Sequence, residues 1–192
     1  MPKLLSINVG LARDLRVGNG LVKSGIVKTA QAGPVEVDLL GLAGDEQADP
    51  SVHGGLTKAV YAYPIEHYAF WQTVRAQAGA AAWDAALPPG AVGENLTVSG
   101  LLESQVWIGD ILRFAECELA VSEPRYPCYK LNAVMGFDQA VKLMTRSAWC
   151  GFYLAVRNPG RLTPGESFEV VPGPREVGIR ELFEARTRRK GQ

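Results

Sequence analysis

The residue whose type and setting could do chemistry is Cys128, in the segment SEPRYPCYKLN at residues 122–132. Arg125 and Lys130 flank it, and cationic neighbours stabilise the thiolate, the form that ligates metals or attacks sulfur. Two prolines stiffen the backbone and disfavour helix or central strand, so the segment is predicted to be a rigid, exposed loop. The alternative, that Cys128 is a small packed apolar residue, stays open at this point.

A second polar segment, GLAGDEQADPSVHGGLTK, occupies residues 41–58. Asp45, Asp49 and His53 could form a metal-binding set within one loop, but such clusters more often stabilise turns by bonding to backbone N–H groups. The two glycines after His53 let the backbone come close to a ligand. The segment therefore predicts a pocket wall in which backbone amides, His53 and Lys58 offer hydrogen-bond donors to an anion.

Short apolar runs between glycines and prolines predict the elements that must position these residues. The predicted strands are residues 4–9, 35–40, 59–63, 96–98, 105–114, 117–122, 149–157 and 167–171, with a turn or bulge at 108–110. The predicted helices are residues 65–74, continued by an alanine-rich stretch towards residue 86, then 137–146 and 175–190. The pattern predicts a mainly β fold with a few helices (α+β), arranged as a closed or nearly closed β-barrel.

Length and composition restrict the class of protein. The 192 residues suit one domain, and 20 basic against 20 acidic side chains give no overall field for nucleic acid or an anionic membrane. Three scattered cysteines argue against a disulfide framework and for a reducing compartment. The start of the chain does not resemble a signal peptide, and no stretch reaches the roughly 20 apolar residues of a membrane span. We therefore expect a cytoplasmic protein.

Taken in order, the motifs resemble one known family. GLAGDEQAD, HGG, KAV, GENL at residues 93–96, GD and PRYPCYKL are similar to the MOSC domain, the C-terminal domain of molybdenum cofactor sulfurases, and in particular to its stand-alone bacterial YiiM-like branch. The resemblance covers roughly residues 4–171. It implies a MOSC domain at residues 1–173, with a barrel-like fold, followed by a short helical tail at 174–192.

The resemblance also implies roles for particular residues. The family's single cysteine falls on Cys128, as molybdenum ligand or sulfur carrier, whereas Cys117 and Cys150 match no motif and are predicted to be strand or core residues. His53 would donate a proton during N–O cleavage. Arg125 would grip the pterin phosphate with two parallel hydrogen bonds. The other predicted cofactor-binding residues are Lys28, Lys58 and Lys130 as point charges, and Asp45 and Asn95 as partners of pterin or substrate.

Alternatives remain for three of these residues, and for Lys58 the alternative is an ordinary solvated lysine. Lys28 is included because SGIVK at residues 24–28 resembles the family's N-terminal element, but a solvated lysine at a strand end is also compatible with the sequence. Asp45 could equally cap a turn.

The function implied by the resemblance is molybdenum cofactor binding and two-electron reduction of N-hydroxylated bases or amines, such as hydroxylaminopurines. The chain shows no cysteine cluster for iron–sulfur and no Rossmann glycine pattern, so a separate protein would have to donate the electrons. No pyridoxal phosphate site is expected, since in cofactor sulfurases that site belongs to another domain. Two alternatives stay open: a sulfur carrier with a persulfide on Cys128, and a non-catalytic carrier of the cofactor. The oligomeric state is also open, a homodimer being one option.

Overall fold

The computed structural model describes residues 1–48 and 54–189 of the chain. Its strands are β1 (Lys3–Val9), β2 (Arg13–Val17), β3 (Gly20–Ser24), β4 (Thr29–Ala30), β5 (Val35–Asp38), β6 (Gly41–Leu42), β7 (Val60–Pro64), β8 (Leu96–Ser99), β9 (Ile111–Arg113), β10 (Glu118–Pro124), β11 (Phe152–Asn158), β12 (Gly160–Leu162) and β13 (Glu169–Val171). Its α-helices are α1 (Tyr68–Gln77), α2 (Lys130–Met135), α3 (Ala140–Ser147) and α4 (Ile179–Arg189). Short 3-10 turns cover Leu56–Lys58, Ile65–His67 and Glu103–Gln105. The prediction of a mixed fold with mostly strands and few helices is confirmed.

One large sheet organises the molecule. Its eight strands follow the order β13-β9-β10-β11-β7-β8-β1-β4, while β12-β5-β6 and β2-β3 form two smaller sheets. Within the large sheet, β7 and β8 are parallel and the other neighbours are antiparallel. Every residue of β7 is buried, as expected for a central strand covered on both faces. In contrast, β5 alternates, with Val35 and Val37 buried and the acidic residues between and after them exposed.

The predicted closed or nearly closed barrel is wrong. The hydrogen-bonded ladder of the large sheet is open, with β13 at one edge and β4 at the other. A single bridge joins Lys3 to Ser167, but the three-residue β13 pairs only with β9 among the described strands. Backbone hydrogen bonds join residues 2–4 to residues 165–168, but they stop short of β13, so among the described residues no ladder between β1 and β13 closes the sheet.

The helix predicted to continue towards residue 86 ends much earlier, at Gln77. Gly79 adopts φ +71°, its N–H donates to the Ala76 carbonyl at 3.0 Å, and the Ala80 N–H donates to the Arg75 carbonyl at 2.9 Å. This Schellman arrangement satisfies the last carbonyls of the helix and stops it. One left-handed glycine therefore outweighs the helix propensity of the alanines that follow.

Two other expectations needed correction. The turn predicted at residues 108–110 is confirmed, and Asp110 Oδ2 accepts the Trp107 N–H there at 3.1 Å. The strand predicted at residues 105–114 is nevertheless reduced to β9, which begins only after this turn. Helix α2 was not predicted, since six residues are too short for a clear helical period.

The division into a MOSC domain at 1–173 and a tail at 174–192 stays a prediction. None of the helices in the described ranges has the length and apolar character that crossing a bilayer requires.

Candidate functional site

Seven of the eight residues predicted for the site line one cleft. They are Lys28, Asp45, Lys58, Asn95, Arg125, Cys128 and Lys130. The eighth, His53, lies outside the described residues. The cavity volume is about 90 Å³, room for about three waters at their share of liquid volume, so a small polar group fits inside the cleft and a larger ligand would extend out of it. The individual roles stay predictions, but the fold brings these distant sequence positions together.

The cleft is built on a row of residues that crosses the large sheet. Glu123 on β10 is paired with Tyr153 on β11, and Tyr153 is paired with Tyr61 on β7. Asn95, just before β8, continues the row: its Oδ1 accepts the Tyr61 N–H at 3.1 Å and its own N–H donates to the Tyr61 carbonyl at 2.8 Å. Sequence reasoning missed both tyrosines, because they lie in predicted strands without a motif and only strand register places them in the cleft.

Asp45 holds one wall of the cleft together. Its Oδ1 accepts the Gly10 N–H at 2.8 Å and a very short hydrogen bond from Lys28 Nζ, and its Oδ2 accepts from Asn95 Nδ2 at 2.9 Å. The Lys28 and Asp45 side chains are 7% and 5% exposed, so the pair is buried. Burial lowers the pKa of Lys28, and Asp45 opposes that shift. Both carboxylate oxygens are already engaged, which makes Asp45 a structural link between segments.

Asn95 is saturated in the same way. Its Nδ2 donates to Asp45 and also to the Asn8 carbonyl at 3.2 Å, while its Oδ1 is taken by Tyr61. An amide with both donors and its acceptor occupied in the protein has little capacity left for a ligand. The geometry thus favours a positioning role for Asn95 over direct contact with pterin or substrate.

The loop that carries Asn95 is fixed by a fully buried carboxylate, Glu94. Its Oε1 accepts the Gly90 N–H at 2.8 Å and the Thr97 hydroxyl at 2.9 Å, together with a very short hydrogen bond from the Tyr68 hydroxyl. Its Oε2 accepts the Val92 N–H at 3.1 Å. Burial raises the pKa of Glu94, although these donors act in the opposite direction. Glu94 therefore secures the GENL loop from behind the cleft.

Arg125 carries a buried positive charge that no carboxylate among the described residues balances. It follows β10 and is only 5% exposed, and its Nη1 donates to Met144 Sδ at 3.2 Å. Its guanidinium carbon lies 5.3 Å from the Tyr61 ring centroid. Within residues 1–48 and 54–189, no carboxylate lies within ion-pair distance of it. Burial by itself lowers the guanidinium pKa, but nearby groups, Tyr61 and Tyr153 foremost, raise it above its ordinary value, so Arg125 stays charged. Burial also raises the pKa of both tyrosines, so near neutral pH these phenols are uncharged and do not neutralise the guanidinium.

Two lysines stand nearer the mouth of the cleft. Lys58 Nζ lies 3.8 Å from Glu123 Oε1 and 6.0 Å from the Tyr153 ring centroid. Lys130 Nζ donates to the Lys23 carbonyl at 3.1 Å. An ammonium group carries three donors, so a single protein acceptor still leaves Lys130 able to bond a ligand. Both lysines can add positive potential to the region around Arg125.

Cys128 lies at the edge of this positive region. It is half-buried, and Arg125, buried beside it, interacts with it electrostatically. The predicted loop is confirmed at residues 125–128, but it is more buried than expected, with Tyr129 as its exposed end. Helix α2 starts right after it, where the Leu131 N–H donates to the Cys128 carbonyl at 2.9 Å. Cys117 and Cys150 are buried, as predicted. Burial raises the pKa of the Cys117 thiol to about 12 and that of Cys150 well above its usual range.

Other candidate groups are not part of the cleft. In the described part of the chain, no three His, Cys, Asp or Glu side chains are grouped so that they could hold a metal ion, and Asp49 and His53 lie outside that part. His67 does not line the cleft. Its Nε2 lies 2.9 Å from Glu103 Oε2 and its ring stacks on Trp149 with centroids 4.6 Å apart, which is a structural arrangement.

The fold and the cleft together define the class of protein. The profile of the MOSC domain matches residues 49–169, and the chain therefore belongs to the MOSC domain family, a family associated with the molybdenum cofactor. It is 38% identical to YflK of Bacillus subtilis over 88% of this chain and 72% of YflK, and 38% identical to YiiM of Escherichia coli over 82% of this chain and 68% of YiiM.

Two further comparisons are with a solved structure and with a longer protein. The crystal structure of YiiM from Geobacillus stearothermophilus superimposes with a TM-score of 0.77 at 29% identity, covering 100% of this chain and 87% of that one. A Gibberella moniliformis protein named "Reductase" is 33% identical over 89% of this chain but only 29% of its own length. The chain is thus similar to one part of that larger protein.

Proposed function

We propose that this chain binds the molybdenum cofactor in the cleft, with the Cys128 thiolate as a ligand to the metal. The observation that carries the proposal is the buried guanidinium of Arg125, which has no carboxylate partner among the described residues and lies beside the thiol. A charge taken out of water costs several kcal/mol unless it is compensated. An anion that enters the cleft would provide that compensation.

The donor set fits the group. Thiolate is a soft ligand of the kind that molybdenum–dithiolene chemistry uses, and Arg125 stabilises the thiolate form. The cofactor's phosphate matches a planar guanidinium, which can bond two of its oxygens at once, and about 90 Å³ of room suits a group of that size. Lys58 and Lys130 would act as point charges towards the same anion.

We further propose that the loaded protein reduces N-hydroxylated bases or amines. The bound cofactor would supply two-electron redox chemistry with transfer of the hydroxyl oxygen. Overall, such a reduction uses two electrons and two protons and releases water, and a separate electron-donor protein would provide the electrons. The reductase name of the Gibberella moniliformis relative supports this direction of chemistry.

The chain's own residues have separate tasks in this proposal. Arg125 binds the anion, Asp45 and Asn95 hold the wall segments in place, and Tyr61 and Tyr153 keep the floor of the cleft apolar around the guanidinium. The role of His53 as proton donor stays a prediction. His53→Ala would then slow turnover of hydroxylaminopurine, assayed with an added reductase, without lowering cofactor content.

Metal analysis of protein expressed in a cofactor-replete host tests the proposal. We expect near-stoichiometric molybdenum in the wild type and loss of it in Cys128→Ala. Cys117→Ala is the matched control, because it removes a sulfur from a buried position outside the cleft. A persulfide on Cys128 in protein without molybdenum would instead establish the sulfur-carrier alternative. Bound molybdenum without turnover would establish a non-catalytic carrier.

A further inference from the structure

The short loop that carries Cys128 has a second contact, made with the C-terminal helix by residues outside the cleft lining. We define the Cys128 loop as residues 125–129. Pro127 has no N–H to donate, and hydrogen bonds lie at the two ends of the loop: the Arg125 N–H to the Gly151 carbonyl at 3.5 Å, and the Leu131 N–H to the Cys128 carbonyl at 2.9 Å. Side-chain packing at the centre of the loop can therefore add to the hold that these bonds provide at its ends.

That packing comes from the C-terminal helix. The Tyr126 ring stacks on the Phe183 ring of α4 with centroids 5.4 Å apart and planes 12° from parallel. The Arg186 guanidinium carbon, one turn further along α4, lies 5.6 Å from the Tyr126 ring centroid. Phe183 is fully buried. Two residues of α4 thus hold the ring that sits between Arg125 and Cys128 in the sequence.

The helix is itself attached to the body of the protein. The Ile108 N–H donates to the Val177 carbonyl at 3.0 Å, and the Ile179 N–H donates to the Val106 carbonyl at 2.9 Å. Ile179, the first residue of α4, is fully buried. These bonds fix the start of α4 against the segment that precedes β9, so the helix provides a firm support for Tyr126.

A second set of contacts holds the segment before α4. The Gly173 N–H donates to Asp110 Oδ1 at 2.8 Å, and Asp110 is fully buried. The Arg175 guanidinium carbon lies 4.5 Å from the Trp107 ring centroid. Residues 173–179 are therefore tied to the turn that leads into β9.

The hydroxyl and the ring of Tyr126 contribute separately. By hydrogen-bond geometry, Tyr126 Oη is the one buried side-chain polar atom without a partner among the described residues. Burial raises the pKa of Tyr126 and the Arg186 guanidinium opposes that shift, so the hydroxyl interacts with Arg186 electrostatically, and Tyr126→Phe separates that contribution from the contribution of the ring. Offset or parallel aromatic pairs contribute beyond the area they bury.

From these contacts we infer that α4 is a positioning element for the cysteine. The Phe183–Tyr126 ring pair fixes the conformation of the Cys128 loop and so keeps the Cys128 thiol beside the Arg125 guanidinium. The importance of this for metal binding rests on the proposed function, but the positioning itself does not. Phe183 and Tyr126 act through the loop and do not belong to the cleft lining.

The test uses the full-length, metal-free chain, so that it is independent of molybdenum. Two rates are measured: the alkylation of Cys128 by iodoacetamide, and amide hydrogen exchange in residues 125–131. The variants are Phe183→Leu and Tyr126→Leu, in which an apolar side chain without a ring replaces the aromatic one. We expect the exchange rate to rise by roughly two- to twelve-fold, the range that corresponds to loss of an aromatic pair. The alkylation rate should depart from that of the wild type, because the loosened thiol gains exposure but loses the nearby guanidinium that favours the reactive thiolate. Exchange in β1 and β8 should stay at the wild-type rate.

Two comparisons separate positioning from general loss of stability. Tyr126→Phe keeps the ring and removes the hydroxyl, so its rates should match the wild type. In the double variant the two Leu substitutions should be less than additive, because either one alone breaks the ring pair. If Phe183→Leu lowers the melting temperature but leaves both Cys128-loop rates unchanged, or speeds exchange equally throughout the chain, the inference is overturned. Metal analysis of the same variants separately tests the proposed function.

Discussion

Replacing Arg125 by methionine should make the ligand-free protein more stable. The guanidinium is 5% exposed, and a buried charge costs several kcal/mol. Two contacts offset part of this: the cation–π contact with Tyr61, about 0.5–2 kcal/mol, and the hydrogen bond to Met144, about 1 kcal/mol. A methionine of similar length fills the same space without the charge. We expect the free energy of unfolding of Arg125→Met to rise by about 1–3 kcal/mol.

Thermal and urea unfolding measure the effect. For a chain of this length, 1 kcal/mol corresponds to about 2–4 °C, so the melting temperature of Arg125→Met should rise by about 2–12 °C. Arg146→Met is the matched control, since Arg146 is exposed on α3 and its loss should change stability by no more than about 0.5 kcal/mol. A gain seen only in Arg125→Met would come from removing the buried charge.

Inorganic phosphate provides the second half of the experiment. If Arg125 is kept for an anion, phosphate should stabilise the wild type, by about 2.7 kcal/mol at a hundred times the dissociation constant. Arg125→Met should show no such response, while Arg146→Met should respond like the wild type. A loss of more than about 1 kcal/mol in Arg125→Met without phosphate would refute the reasoning, since Arg125 would then be a net contributor to the fold. An equal response to phosphate in all three proteins would also refute it.

Two further predictions concern the GENL loop. Burial raises the pKa of Glu94 above its ordinary value of 4.5. At a pH between the pKa of the unfolded chain and that of the folded chain, folded Glu94 keeps a proton that the unfolded chain has released, so stability falls as the pH rises. The urea-unfolding free energy of Glu94→Gln should therefore fall less than that of the wild type between about pH 5 and about pH 8. Gly93 and Gly79 both have positive φ, +89° and +71°, so replacement by alanine strains the backbone at both. Only at Gly93 would the new Cβ also meet Ile26 Cγ1, at 2.6 Å. Gly93→Ala should therefore lower the free energy of unfolding in urea by about 1–3 kcal/mol more than Gly79→Ala does. Equal slopes with pH, or equal costs at the two glycines, would contradict these explanations.

Local sequence signals predicted much of the secondary structure. Alternating valines and acidic residues gave β5, and apolar runs bounded by glycine or proline gave β1, β7, β8 and β10 close to their observed limits. The signals failed where a single contact overrides the local pattern. Gly79 ends α1 although alanines follow. The turn at residues 108–110 was predicted, but the hydrogen bond from Trp107 to Asp110 also removes the strand expected just before it.

The open sheet is a different kind of failure. Strand composition indicates that residues form a sheet, but closure depends on which strands meet at the edges. Here β4 and β13 are only two and three residues long, and their pairing partners lie far away in the sequence. No local pattern contains that information.

For the site, the sequence by itself determined which residue types could meet: a cysteine beside cationic residues, and loops whose glycines and polar side chains suit a ligand. Only the tertiary structure decided which of these side chains are occupied by hydrogen bonds within the protein and which charge is left for a ligand. Asp45 and Asn95 satisfy each other and the backbone, whereas Arg125 is buried on two tyrosines with no described acid beside it. Hydrogen-bond saturation and desolvation depend on the complete set of neighbours in space, and the packing of α4 on Tyr126 depends on them as well. Those neighbours come from strand register and chain packing, which the order of residues in a motif does not specify.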